Sequence, residues 1–174
     1  MENNKFRELT NQAELGEANA QFQLALIYIY GNGVVNNYEL AVELLRKASA
    51  QEHFEAMYNL GICYHYGYGV EVDYKKAFKL YRNSALHGYA KGKTLVGFFY
   101  YHGLYVQQDY SEAIRWFLDG AEQKDMAAEY WLWLCYAKGH GVPPNKSRAI
   151  KWYEESASKG YTKAQDALRE LTKK

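Results

Sequence analysis

Hydrophobic residues return along this chain with helical spacing. Ala56, Leu60, Cys63 and Tyr64 stand at i, i+4, i+7 and i+8, and Ala77, Leu80, Tyr81, Ser84 and Ala85 at i, i+3, i+4, i+7 and i+8. Each series is a one-sided apolar stripe and predicts a helix. Tyr66-Gly67-Tyr68-Gly69-Val70 joins the two, with glycines where positive φ is needed, so the pair predicts a helical hairpin. The loop valine is expected to lie buried between the helices as a plug.

The hairpin recurs every 36 residues, from Gly31 to Gly67, Gly103 and Gly139. The same step links Val34, Val70, Val106 and Val142, then Tyr28, Tyr64, Tyr100 and Tyr136, then Ala41, Ala77, Ala113 and Ala149. Two further core slots read Leu24, Leu60, Val96, Leu132, Leu168 and Ala20, Ala56, Gly92, Ala128, Ala164. Phe6, Ala13 and Gly16 carry the register outwards. The expected organisation is therefore one array over residues 1–174. Residues 4–15 form an N-terminal half-repeat, residues 16–51, 52–87, 88–123 and 124–159 four repeats, and residues 160–174 a closing helix.

Asn37, Asp73, Asp109 and Asn145 precede the second helices as N-caps, and Asp109 with Glu112 has capping-box spacing. Gly16, Gly88 and Gly160 follow second helices, where a left-handed cap favours glycine. Glu52 and Lys124 hold that slot elsewhere, and those two ends are expected to close differently. Tyr105 replaces the second loop glycine of repeat three, which predicts another loop shape. Trp133 stands where Ala25, Gly61 and Gly97 stand, and is expected to disturb close packing of repeat four. No hairpin can bury its stripe alone, so neighbours must stack. The fold class expected is all-α, a solenoid of antiparallel helix pairs with a 36-residue period.

Composition removes several functions. The chain has 48% hydrophobic and 24% charged residues, a globular balance, and a net charge of +1. That balance argues against a nucleic-acid partner held by many phosphate contacts. No apolar run approaches the roughly 20 residues of a membrane span, so no membrane partner is expected. MENNKFRELTNQ lacks the apolar core of a secretory signal, which predicts a cytoplasmic protein. Cys63 and Cys135 occupy the same slot two repeats apart, too distant for a disulfide, so two reduced thiols are expected.

His53, His65, His87, His102 and His140 form no zinc-binding spacing, and no metal or cofactor is expected. Polar groups in a wet groove are the ordinary reading of these histidines. The glycine loops follow helices rather than strands, and no serine sits in a nucleophile elbow. Glu39, Glu43, Glu112, Glu154 and Glu155 fall on outer helix faces. Together these features point away from an enzyme. Lys75, Lys76, Lys79 and Arg82 crowd one second helix, as a solvated outer face or a docking patch for an acidic partner.

Ala56-Met57-Tyr58-Asn59-Leu60-Gly61-Ile62-Cys63-Tyr64, Gly67-Tyr68-Gly69-Val70 and Asp73-Tyr74-Lys75-Lys76-Ala77 together resemble the Sel-one-like repeat, a tetratricopeptide-like family. Ser156-Ala157-Ser158-Lys159-Gly160-Tyr161 resembles its closing stretch. The resemblance implies a right-handed superhelix acting as an adaptor or as a toxin- or effector-neutralising protein, not an enzyme. It also implies that the first helices line a concave side. Slots there vary between repeats yet stay apolar and aromatic, which predicts an interaction trough. The expected contact set for a protein or extended peptide is Tyr58, Ile62, His65, Tyr66, Phe98, Tyr101 and His102, extended by Tyr130 and Leu134. The competing readings are a small-molecule or glycan binder and a cell-wall-related hydrolase. The shape of the aromatic surface separates them: an open trough suits a peptide, a closed pocket with convergent carboxylates the others.

Overall fold

A computed structural model describes residues 2–171, with side chains from 4 to 166. Leu168, assigned above to a core slot, lies outside the described side chains. Ten α-helices follow one another in two compact units, residues 1–87 and 88–174. The first unit holds α1 (Glu2–Glu14), α2 (Ala18–Tyr30), α3 (Tyr38–Ala50), α4 (Phe54–Tyr66) and α5 (Tyr74–Leu86). The second holds α6 (Ala90–His102), α7 (Tyr110–Glu122), α8 (Met126–Lys138), α9 (Lys146–Ser158) and α10 (Thr162–Leu171). No strand occurs among the described residues.

Sequence register becomes packing through the small-residue slots. Ala20, Ala56, Ala128 and Ala164 are buried, as are Ala41, Ala77, Ala113 and Ala149 on the second helices. Leu24, Leu60, Val96 and Leu132 fill the space between. In the first unit α1 closes the end by laying Phe6, Leu9 and Ala13 against Ala20 and Leu24. In the second, Phe117, Leu132 and Cys135 are fully enclosed, with Tyr101, Ile114 and Tyr136 around them. Ser84 Oγ donates to the Phe54 carbonyl at 2.8 Å and Ser156 Oγ to the Met126 carbonyl at 2.7 Å. Each bond ties a second helix to the start of its own first helix.

All four second helices are capped as expected. The side chains of Asn37, Asp73, Asp109 and Asn145 accept from the amides of Leu40, Lys76, Glu112 and Arg148, each at 2.9 Å. The capping box at Asp109 is only half made. The Glu112 carboxylate turns along the helix instead, accepting from Trp116 Nε1 at 3.1 Å and pairing with Arg115 at 3.4 Å.

Four other expectations need correction. Glu52 (φ 61°) and Lys124 (φ 63°) adopt the left-handed conformation of Gly16, Gly88 and Gly160, so all of these helix ends close alike. The backbone bonds that close the turn, from the amides of Glu52 and Lys124 to the carbonyls of Ser49 and Ala121, outweigh the conformational cost of about 1–2 kcal/mol. Tyr105 (φ 63°) likewise keeps the loop shape of Gly33, Gly69 and Gly141. The loop valines are half-buried rather than enclosed; what closes each loop is a backbone bond, as from the Asp73 amide to the Tyr64 carbonyl at 2.9 Å.

Trp133 is also accommodated. The facing slot on the second helix holds Leu45, Tyr81, Phe117 and Tyr153, all buried. A Cβ on Gly61 would stand 2.6 Å from the Tyr81 ring, and one on Gly97 2.7 Å from Phe117. Glycine there makes room for the opposing ring, whereas Ala25 faces the smaller Leu45. Trp133 is half-buried and packs its ring at a tilt against Tyr153, with centroids 5.1 Å apart.

Candidate functional site

Because every first helix is 13 residues long and buries the same side, the face it leaves open falls on fixed slots. That face follows an i, i+4, i+7, i+11 stripe. It reads Asn19, Gln23, Leu26, Tyr30 on α2 and Glu55, Asn59, Ile62, Tyr66 on α4. On α6 it reads Lys91, Leu95, Phe98, His102, and on α8 Ala127, Trp131, Leu134, Lys138. All sixteen are exposed or half-exposed.

Five of the nine sequence-predicted contact residues stand on this stripe: Ile62, Tyr66, Phe98, His102 and Leu134. Tyr58 and Tyr130 are half-buried beside it. Tyr58 packs 6.0 Å from Tyr81, and Tyr130 packs against Trp131, Trp133 and Tyr161. His65 and Tyr101 are buried, at 8% and 7% exposure, and take part in helix packing rather than in an open face. Thus His65 is not a polar group in a wet groove, and the physical reason is that Tyr74 and Tyr81 of the following helix cover it.

His65 stacks on Tyr66 at 4.3 Å, and its Nδ1 lies 3.3 Å from the Tyr81 hydroxyl. Burial holds its imidazole pKa below the ordinary 6.5. Tyr66, more than half exposed, continues the stack onto Tyr68, and Tyr68 continues it onto Tyr38 at 5.2 Å. This ring ladder fastens the repeat-two loop to the start of α3. Burial raises the Tyr101 phenol to about 12, with Cys135, Tyr110 and Tyr130 adding to the effect, so the hydroxyl keeps its proton; it is hydrogen-bonded to His140 Nδ1 at 2.6 Å.

Trp131 is the residue that sequence reasoning missed. It touches Phe98 (centroids 5.4 Å), Tyr101 (5.0 Å) and His102 (5.5 Å), and lies parallel to the buried Phe117 ring at 5.8 Å. It therefore joins α6 and α8 into one aromatic surface. The signal was present: its slot reads Gln23, Asn59, Leu95, Trp131, polar in two repeats and the largest aromatic in the last.

Open space of another kind lies at the start of the first unit. A groove of about 1200 Å³ runs between α1 and α2, lined by Phe6, Leu9, Leu26, Ile27, Lys5 and Glu8 among others. Its one carboxylate, Glu8, faces no second acid there. Among the described residues no three histidine, cysteine or acidic side chains gather to hold a metal ion, and no helix is long and apolar enough to cross a membrane.

Four consecutive segments, residues 18–53, 54–89, 90–125 and 126–161, match the Sel1 repeat. Among solved structures the chain is similar to a Sel1 repeat protein from Oxalobacter formigenes, with 37% identity and a TM-score of 0.90 over 94% of this chain and 65% of that one. It is similar also to c5321, a protective antigen of uropathogenic Escherichia coli with an SLR fold, at 32% identity and a TM-score of 0.85 over 94% of this chain and 35% of that one. Helicobacter pylori cysteine rich protein B shares the fold at 21% identity and a TM-score of 0.56, over 70% of this chain and 87% of that one. This chain thus spans about two thirds and about one third of the first two. No curated protein matches it. With its four repeats matched in one unbroken register, the chain belongs to the Sel1 repeat family.

Proposed function

We propose that this protein is a non-catalytic scaffold that holds a partner protein, or an extended peptide segment of one, on the open face of the first helices α6 and α8. Proteins of this family are generally protein-interaction scaffolds, and the family is generally without catalysis. The observation that carries the reading is the half-exposed aromatic surface of Phe98, His102 and Trp131, continued by Leu134. Folding alone does not require it. The same slots are Leu26, Tyr30 and Gln23 in repeat one, whose first helix forms over the same 13 residues without a tryptophan. Exposed aromatic patches of this kind mark interaction sites, and aromatic anchors dominate interface energies at about 2 kcal/mol or more each.

The stripe is an open helix face rather than a closed pocket, and no pair of carboxylates converges on it, which favours a peptide or protein over a glycan or a hydrolytic substrate. Whether the partner is assembled or neutralised, and in which compartment, follows from identifying it.

The experiment is affinity capture from the native host, with the unmodified chain and a Phe98→Ala/Trp131→Ala variant run side by side and retained proteins identified by mass spectrometry. Both substitutions change half-exposed residues, so helical content should persist in circular dichroism. The expected result is at least one protein retained by the unmodified chain and lost by the folded variant. Retention of identical proteins by both would reject the site.

A further inference from the structure

We infer that the segment bound by the second unit is acidic, with a hydrophobic anchor between its carboxylates; this rests on the peptide-binding reading above. The charges on α6 and α8 are one-sided. Their sequences, Ala-Lys-Gly-Lys-Thr-Leu-Val-Gly-Phe-Phe-Tyr-Tyr-His and Met-Ala-Ala-Glu-Tyr-Trp-Leu-Trp-Leu-Cys-Tyr-Ala-Lys, hold three lysines and a single carboxylate. That carboxylate, Glu129, is 1% exposed and paired with Lys159 across the repeat. Asp125, just ahead of α8, is committed to capping, its Oδ1 accepting from the amides of Ala127 and Ala128 at 2.8 and 3.1 Å. What the two helices themselves show to solvent is therefore Lys91 and Lys138, with half-buried Lys93, while the half-exposed Asp125 keeps its charge but turns one oxygen onto the α8 amides.

This is particular to the second unit. On α2 no residue is charged, and on α4 the stripe carries Glu55. Burial holds His102 below its ordinary pKa, so at neutral pH the lysines alone supply the positive field. Such unmatched charge beside an apolar surface attracts and orients an oppositely charged ligand.

The spacing narrows the ligand. Lys91 and Lys138 bracket the aromatic patch, one near the start of α6 and the other at the end of α8. Lys91 shares its slot with Ala127, so Lys138 stands eleven residues further along its helix; at about 1.5 Å per residue, with the neighbouring helix axis about 8–10 Å away, the two lysines lie roughly 20 Å apart. An extended peptide covers that span in about six or seven residues. The fitting segment has acidic residues about that far apart and an aromatic or aliphatic side chain between them, seated on Phe98 and Trp131. Two lysines 20 Å apart are too sparse to track a phosphate at every nucleotide, which disfavours single-stranded RNA on the same rings.

The test is panning of a displayed random 12-residue peptide library on the full chain, with a Lys91→Glu/Lys138→Glu variant panned in parallel. Recovered peptides should carry net negative charge and an aromatic or aliphatic residue. When resynthesised, they should bind the variant roughly tenfold more weakly and lose affinity as salt rises. Recovery of neutral or basic peptides that still need Trp131 would overturn the acidic assignment and leave the scaffold reading standing. No enrichment over a non-binding control would reject both. A single-stranded RNA dodecamer binding as tightly as the best peptide would overturn the peptide assignment in favour of nucleic acid.

Discussion

Adding one methyl group at Gly97 should report on both the fold and the site. A Cβ there would stand 2.7 Å from Cδ1 and Cε1 of Phe117 and 3.0 Å from the Ala113 carbonyl. Phe117 is fully buried, and its ring lies parallel to Trp131 with centroids 5.8 Å apart. A ring displaced from Gly97 therefore presses on a packed core that includes that tryptophan. Overpacking of this kind costs about 1–3 kcal/mol, and for a chain of this size each kcal/mol lowers the melting temperature by about 2–4 °C. Gly97→Ala should therefore melt roughly 2–12 °C lower, with a shift in tryptophan emission as Trp131 is displaced. Phe117→Leu alone loses ring contacts and should destabilise too. The double variant recreates the Ala25–Leu45 pairing of repeat one, so its loss should be smaller than the sum of the two single losses. Circular dichroism melts of the four proteins decide it. Unchanged stability of Gly97→Ala, or strict additivity in the double variant, would refute the packing rule.

Other outcomes follow from the same structure. Replacing Lys124 or Glu52 by glycine should relieve a left-handed residue at an exposed helix end and raise stability by up to about 1 kcal/mol each, measured by urea denaturation; a loss would show that the side chains matter more than the backbone. His65 is neutral when folded because burial lowers its pKa, so the unfolded chain binds more protons just below pH 6.5, and stability should fall as pH drops through that window. A His65→Gln variant should lose part of that slope; an unchanged slope would assign it to other groups. Cys63 and Cys135 are buried free thiols with pKa values raised to about 11 and about 12, so iodoacetamide should leave both unmodified in the native protein and label both after denaturation without reductant. Rapid native labelling would contradict their burial.

The repeat period, the caps and the core slots were legible because each rests on local chemistry. Asn37 and Asp73 cap whatever helix follows, and Leu60 and Ala77 are buried wherever the hairpin closes. Misreadings arose where one residue type was taken to dictate a backbone shape. Tyr105, Glu52 and Lys124 are not glycine, yet the surrounding hydrogen bonds hold them in the left-handed region. The contact face was half legible for a related reason. Sequence variation pointed to the first helices, but 3.6-residue geometry decides which variable slots look outward. His65 and Tyr101 vary between repeats and still point at the rings of Tyr81 and Phe117, whereas Trp131, in a slot that is polar in the first two repeats, faces out and joins two helices.

Hydroxyl-radical footprinting of the full chain, alone and saturated with a captured partner or a panned peptide, tests the central claim most directly. The first-helix account predicts protection of Phe98, His102, Trp131 and Leu134, with unchanged labelling of second-helix residues such as Tyr74, Lys79, Arg115 and Ile150. Protection of the second-helix set, with Trp131 and Phe98 still labelled, would contradict it and move the binding surface to the opposite side of the helix pairs.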